Sequence, residues 1–94
     1  MLKLSDYRSG LLDYNNLPTL DLHGEIVDIS VVRINDFIKD NIKQKKQFIA
    51  IVHGISGGKV KKACEETLRR HKKVIDYGIC YRNQGCTIVE LNIN

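Results

Sequence analysis

The stretch "IAIVHGISGGKVKK", Ile49 to Lys62, is an apolar run that stops at a histidine, turns through three glycines and enters a lysine-rich segment. "FIAIV" (Phe48–Val52) offers no polar side chain to either face, as expected of a central strand. After Gly58, Val60, Cys64, Thr67, Leu68 and His71 recur on one helical face, and charged residues cover the rest. A strand, a glycine turn and a helix therefore meet where His53, Gly54, Ser56, Gly57, Gly58 and Lys59 cluster.

Upstream, "TLDLHG" (Thr19–Gly24) alternates apolar and polar residues and ends at a glycine, the pattern of a short strand. Asp28 is placed to cap a helix in which Val31, Ile34, Ile38 and Ile42 recur at helical spacing, with Phe37 beside them. That helix runs out in "KQKKQ". Downstream, "VIDYGICY" and "CTIVELNI" read as two strands joined by "RNQG" in a tight antiparallel connection. Residues 1–18 form a turn-rich arm closed by the only proline, Pro18, and residues 19–94 form the domain proper. The element order predicts an α/β fold of the two-layer βαβαββ type, with a four-stranded mixed sheet and two helices on one face.

Strand–helix–strand crossovers are right-handed in nearly all proteins, so the first two strands should lie parallel and share a carboxyl edge. Ligands of open α/β sheets collect beyond that edge. "LDLHG" delivers His23 there and "IVHG" delivers His53, beside the amino terminus of the second helix. Asp21 and His23, two residues apart, share one strand face.

Ninety-four residues make one domain, burying roughly 60–65% of the unfolded chain's surface. No apolar run approaches the roughly 20 residues of a membrane span, and the amino terminus lacks a signal-peptide core, so the expected compartment is the cytoplasm without membrane association. Cys64, Cys80 and Cys86 form no C-x-x-C pair and are expected as reduced thiols rather than a disulfide or zinc framework. The net charge is +4, yet Lys59–Lys73 alone carries five Lys and two Arg against Glu65 and Glu66. Such local basicity favours a phosphate-bearing partner, with a solvated helix face as the alternative.

The glycine turn admits several chemistries. A helix amino terminus with Gly57 and Gly58 lets an anion approach unpaired N–H groups, and Lys59, Lys61 and Lys62 add full charges. A nucleotide-triphosphate P-loop fails, because His53 stands where its first glycine is required and Val60 where its hydroxyl is required. "GISGG" matches G-x-S-x-G, but the only later histidine is His71 and the chain is too short for a hydrolase sheet. Asp21, His23 and His53 lack a fourth residue at ligand spacing, so no metal site is assigned. Imidazoles suit phosphodiester chemistry near neutral pH, since the neutral form accepts a proton and the charged form donates one.

"LDLHG", the amphipathic helix behind it, "IVHGISGGKVKKACEETLRRH" and "NQGCTIVEL" together resemble the small MutS-related (Smr) domain over about residues 19–92. The resemblance implies a fold similar to the carboxyl-terminal domain of translation initiation factor three. It also implies nucleic acid, RNA or DNA, as partner, with endonuclease activity, and ribosomes as an assembly some members act on in quality control. A non-catalytic nucleic-acid or ribosome-binding module is the alternative. The family's first motif maps onto Asp21 and His23, and its H-G-x-G turn onto His53 and Gly54, with Ser56 replacing the second glycine. On this reading His23 transfers the proton, Asp21 supports it, and His53 with Gly54–Gly58 binds phosphate, while Lys59, Lys61 and Lys62 hold the backbone. RNA cleavage through its own 2′-hydroxyl needs no cofactor, whereas DNA cleavage by water brings in a divalent metal.

Overall fold

The computed structural model describes residues 1–55 and 58–94. Its principal elements are α1 (Leu4–Arg8), β1 (Thr19–Asp21), α2 (Val27–Lys43), β2 (Phe48–Val52), α3 (Lys59–Arg70), β3 (Val74–Cys80) and β4 (Asn83–Leu91), with a short 3-10 turn at Tyr14–Asn16. The four strands form one mixed sheet in the order β1-β2-β4-β3. β1 pairs parallel with β2, as the crossover rule requires, and β4 runs antiparallel to both β2 and β3. The α/β architecture with a four-stranded mixed sheet and two main helices is as expected.

Strand alternation divides the side chains into two cores. Leu20, Ile49, Ile51, Val89 and Leu91 face α2 and α3, where they meet Ile34, Ile38, Cys64 and Leu68. Each such fully buried aliphatic side chain contributes roughly 1.5–3 kcal/mol. The intervening positions Phe48, Ala50, Cys86 and Ile88 face the opposite way and meet Leu4 and Tyr7 of α1. The Tyr7 and Phe48 rings pack at 5.3 Å. Residues 1–18 thus contain a helix of their own and cover the sheet face that α2 and α3 leave open.

Three strands end one to three residues earlier than the sequence pattern, at Asp21, Cys80 and Leu91, and two starts differ as well. α2 begins one residue before Asp28, with Ile26 at the cap position and no side-chain cap. Asp28 lies in the first turn instead, where a carboxylate still favours the positive end of the helix dipole. β4 begins at Asn83 rather than Cys86, because Asn83 pairs with Cys80 across a register shift. The connection between β3 and β4 is therefore only Tyr81–Arg82, and Gly85 belongs to the strand.

Cys64, Cys80 and Cys86 are buried free thiols. Burial pushes Cys64 and Cys86 up to about 12, which leaves them protonated and unreactive at neutral pH.

Candidate functional site

β1 stops at Asp21, Leu22 makes one more backbone bond to Val52, and the chain turns at His23–Gly24. Gly24 takes φ 78°, the left-handed backbone region that glycine enters without steric cost. The turn leaves His23 exposed, with 73% of its side chain accessible. One oxygen of Asp21, Oδ1, accepts the His23 backbone N–H at 3.1 Å and lies 2.8 Å from the ring Nδ1. A carboxylate can only accept, so Nδ1 carries the proton and Nε2 is left to face solvent. That hydrogen bond is the main reason the His23 pKa rises above 6.5 and the Asp21 pKa falls below 3.8.

β2 delivers the second histidine differently. His53 follows Ile49 and Ile51 in alternation and points to the helix-covered face, where it is 4% exposed. Its Nδ1 lies 3.1 Å from the Gly54 carbonyl and its Nε2 lies 2.8 Å from Thr87 Oγ1. The carbonyl must accept from Nδ1–H, and the Thr87 hydroxyl then donates to Nε2. Burial lowers the His53 pKa, and Lys61 adds to that effect. The ring is therefore neutral and fully engaged, unlike that of His23.

The two corners nevertheless meet. A Cβ placed on Gly54 would lie 3.4 Å from the His23 Cβ, and Gly54 itself has φ 83°. Gly85 O accepts both the His53 and Gly54 N–H groups, at 2.8 and 3.1 Å. A Cβ on Gly85 would come within 3.3 Å of the Gly54 backbone, so three strands converge on this corner through glycine.

Gly58 precedes α3 with φ 72° and, as a glycine, contributes no side-chain cap. Lys59 and Lys62 are exposed, and Lys61 is half-buried on the side of His53. Ser56 and Gly57, both candidates for phosphate binding, lie outside the described residues.

Three contributors are not marked by the sequence motifs. Thr87 holds the His53 ring from 34 positions away. Gly85 ties the second corner to β4. Arg33, whose helical position suggests a solvated face, reaches back with Nη1 3.5 Å from the Asp21 carbonyl oxygen and 3.5 Å from Glu25. The Glu25 spacing to Arg33 is too long for a helical pair, so only the turn geometry brings them together. Asp21 and His23 supply two donors of metal-ligand type, and among the described residues no group of three or more His, Cys, Asp or Glu is placed to hold a metal ion. No helix among them is long and apolar enough to cross a membrane.

A mixed four-stranded sheet thus presents an exposed Asp–His pair at its parallel carboxyl edge, beside an H-G corner. The sequence matches the Smr domain family over residues 20–92, and the chain belongs to it. It is 32% identical over 96% of its length to the Endonuclease MutS2 of Geobacillus sp. (strain WCH70). It is 31% identical over 71% of its length to the protein of that name from Aquifex aeolicus. The chain spans only 11% and 9% of those two relatives. Among solved structures, the Smr domain of Thermus thermophilus MutS2 superposes with a TM-score of 0.78 at 23% identity, over 80% of this chain and 98% of that one. YdaL, a stand-alone small MutS-related protein from Escherichia coli, gives 0.80 at 18% identity, over 97% of this chain and 77% of that one. These two likenesses establish the fold.

Proposed function

We propose that the chain binds nucleic acid and cleaves a phosphodiester bond by proton transfer at His23. The observation that carries the proposal is the exposed Asp21–His23 pair, with Nδ1 committed to the carboxylate and Nε2 open to a substrate at the sheet edge. The name endonuclease borne by its relatives supports the same reading. With RNA, Nε2 accepts the proton of the 2′-hydroxyl, the 2′-oxygen attacks phosphorus, and the bond to the 5′-oxygen breaks. The 5′-oxygen takes up a proton from water and His23 releases the one it accepted, leaving a cyclic phosphate and a 5′-hydroxyl. With DNA, water is the nucleophile, and a divalent metal ion would lower the cost of forming it.

The remaining residues bind and position. The first turn of α3, with Lys59, Lys61 and Lys62, takes the phosphate charge. His53 serves as a positioning residue: its ring locks Gly54 to Thr87 and so fixes the corner against which His23 stands. Asp21 holds the tautomer and orientation of His23, and Arg33 beside it adds positive charge where phosphate approaches.

The substitution of Ser56 for the second motif glycine favours a second reading, a module that binds nucleic acid or a ribosomal surface without cleaving it. One experiment separates the two. Purified protein is incubated with end-labelled RNA and with duplex DNA, each with and without chelator. Cleavage of either supports the enzyme. Binding without cleavage supports the module.

A further inference from the structure

The edge that presents His23 does not end at β2. Since β4 is antiparallel to β2 and β3 to β4, the β3–β4 turn lies at the same end of the sheet as the carboxyl ends of β1 and β2. Asp21 pairs with Val52, and Val52 pairs with Cys86, so these three form a row on the face covered by α1. Beyond that row stands the turn Tyr81–Arg82. Tyr81 is 68% exposed, whereas the other aromatic rings, Tyr7, Tyr14, Phe37, Phe48 and Tyr77, are buried or half-buried.

The ring is held in place by the arm. Its backbone N–H donates to the Arg8 carbonyl at 2.8 Å, and the Arg8 guanidinium lies 4.8 Å from the ring centroid. Arg8 is fixed in turn, with Nε donating to the Ile79 carbonyl at 2.9 Å. It lies so close over Gly78 that any Cβ there would overlap the guanidinium, and Arg82 lies in the same way over Gly10. Two arginines thus cross between arm and hairpin, each seated on a glycine of the other segment. An exposed aromatic ring backed by one arginine and flanked by another is a surface for stacking a base and holding its phosphate.

We infer that Tyr81, with Arg8 and Arg82, forms a base-stacking subsite for single-stranded nucleic acid, a few nucleotides from the phosphate at His23. The inference rests on the nucleic-acid reading above and adds a selectivity to it. β1 and β3 are three strand spacings apart, roughly 14 Å, a span that two to three nucleotides of an extended strand cover. Bases inside a duplex are already stacked on both faces and cannot reach the ring, so the subsite favours single strands over duplex.

The chain contains no tryptophan, so Tyr81→Trp places one fluorophore in the subsite. Titrating this variant of the 94-residue chain with a 12-nucleotide single-stranded RNA should quench its emission, and the matched duplex should not. In parallel, Tyr81→Ala should weaken single-strand binding by roughly 5–150-fold, the loss of one stacked base, while Tyr81→Phe stays near wild type and duplex affinity hardly changes. Thermal melting confirms that each variant is folded. Wild-type binding retained in Tyr81→Ala, or equal losses for single strand and duplex, overturns the subsite alone. A wild-type chain that binds no nucleic acid overturns the functional reading and the subsite with it.

Discussion

Asp21 Oδ1 holds both the backbone N–H and the ring Nδ1 of His23, at 3.1 and 2.8 Å. One carboxylate oxygen thereby fixes the turn and the tautomer together, and the histidine that remains exposed is already oriented. His53, one strand away, has both ring nitrogens occupied and its charge suppressed by burial. The pair of histidines divides into one that can exchange protons with a substrate and one that holds the backbone.

The first expectation concerns pH. The hydrogen bond that His23 donates to Asp21 raises the His23 pKa above 6.5, so cleavage with His23 as base should rise through an inflection above 6.5. Asp21→Asn removes the negative charge and should move that inflection down, towards 6.5, with a lower plateau rate. NMR titration of the His23 ring measures the same shift independently. An unmoved titration in Asp21→Asn would show that the carboxylate does not control the imidazole.

Stability should respond to pH through His53 in the opposite direction from His23. Burial lowers the His53 pKa below 6.5, so the folded state binds a proton less readily than the unfolded chain. Its contribution is complete above 6.5 and is lost as pH falls below that value. The His23 pair contributes below 6.5 and fades as pH rises through its raised pKa, but solvent screens it. Chemical denaturation between pH 7.5 and 5 should therefore show falling stability, with a smaller slope in His53→Gln. Thr87→Val leaves a buried ring nitrogen without its donor and should cost about 1–3 kcal/mol at neutral pH.

Phosphate binding should depend on the start of α3. Replacing Lys59, Lys61 and Lys62 by Gln is expected to weaken RNA and DNA similarly, and to reduce the slope of affinity against salt by roughly one unit per lost contact. Equilibrium binding over a series of salt concentrations checks this. An unchanged slope in the folded variant would place the phosphate elsewhere.

The sheet edge was legible because two short strands each end in His-Gly, and chirality makes such strands parallel. That reasoning placed Asp21, His23, His53 and Gly54 at the carboxyl ends of adjacent strands, and the approach of Gly54 to His23 joins the two turns, while the His53 ring turns to the helix-covered face and Asp21 to the face of α1. The inequality of the histidines was not legible. It depends on strand parity beyond the turn and on Thr87, which only the β2–β4 register brings opposite Ile51. The helix in residues 1–18 was also hidden, since α1 has five residues and gains its stability from Phe48 and Ile88 rather than from its own pattern. Arg33 lies on a charged helix face, where sequence periodicity reads only solvent.

Single-turnover cleavage by His23→Ala, measured alongside its equilibrium affinity for the same labelled substrate, tests proton transfer at His23 most directly. The expected result is a rate about 10²–10⁴-fold below wild type, with affinity within a few-fold. Cleavage at the wild-type rate by folded His23→Ala would contradict it.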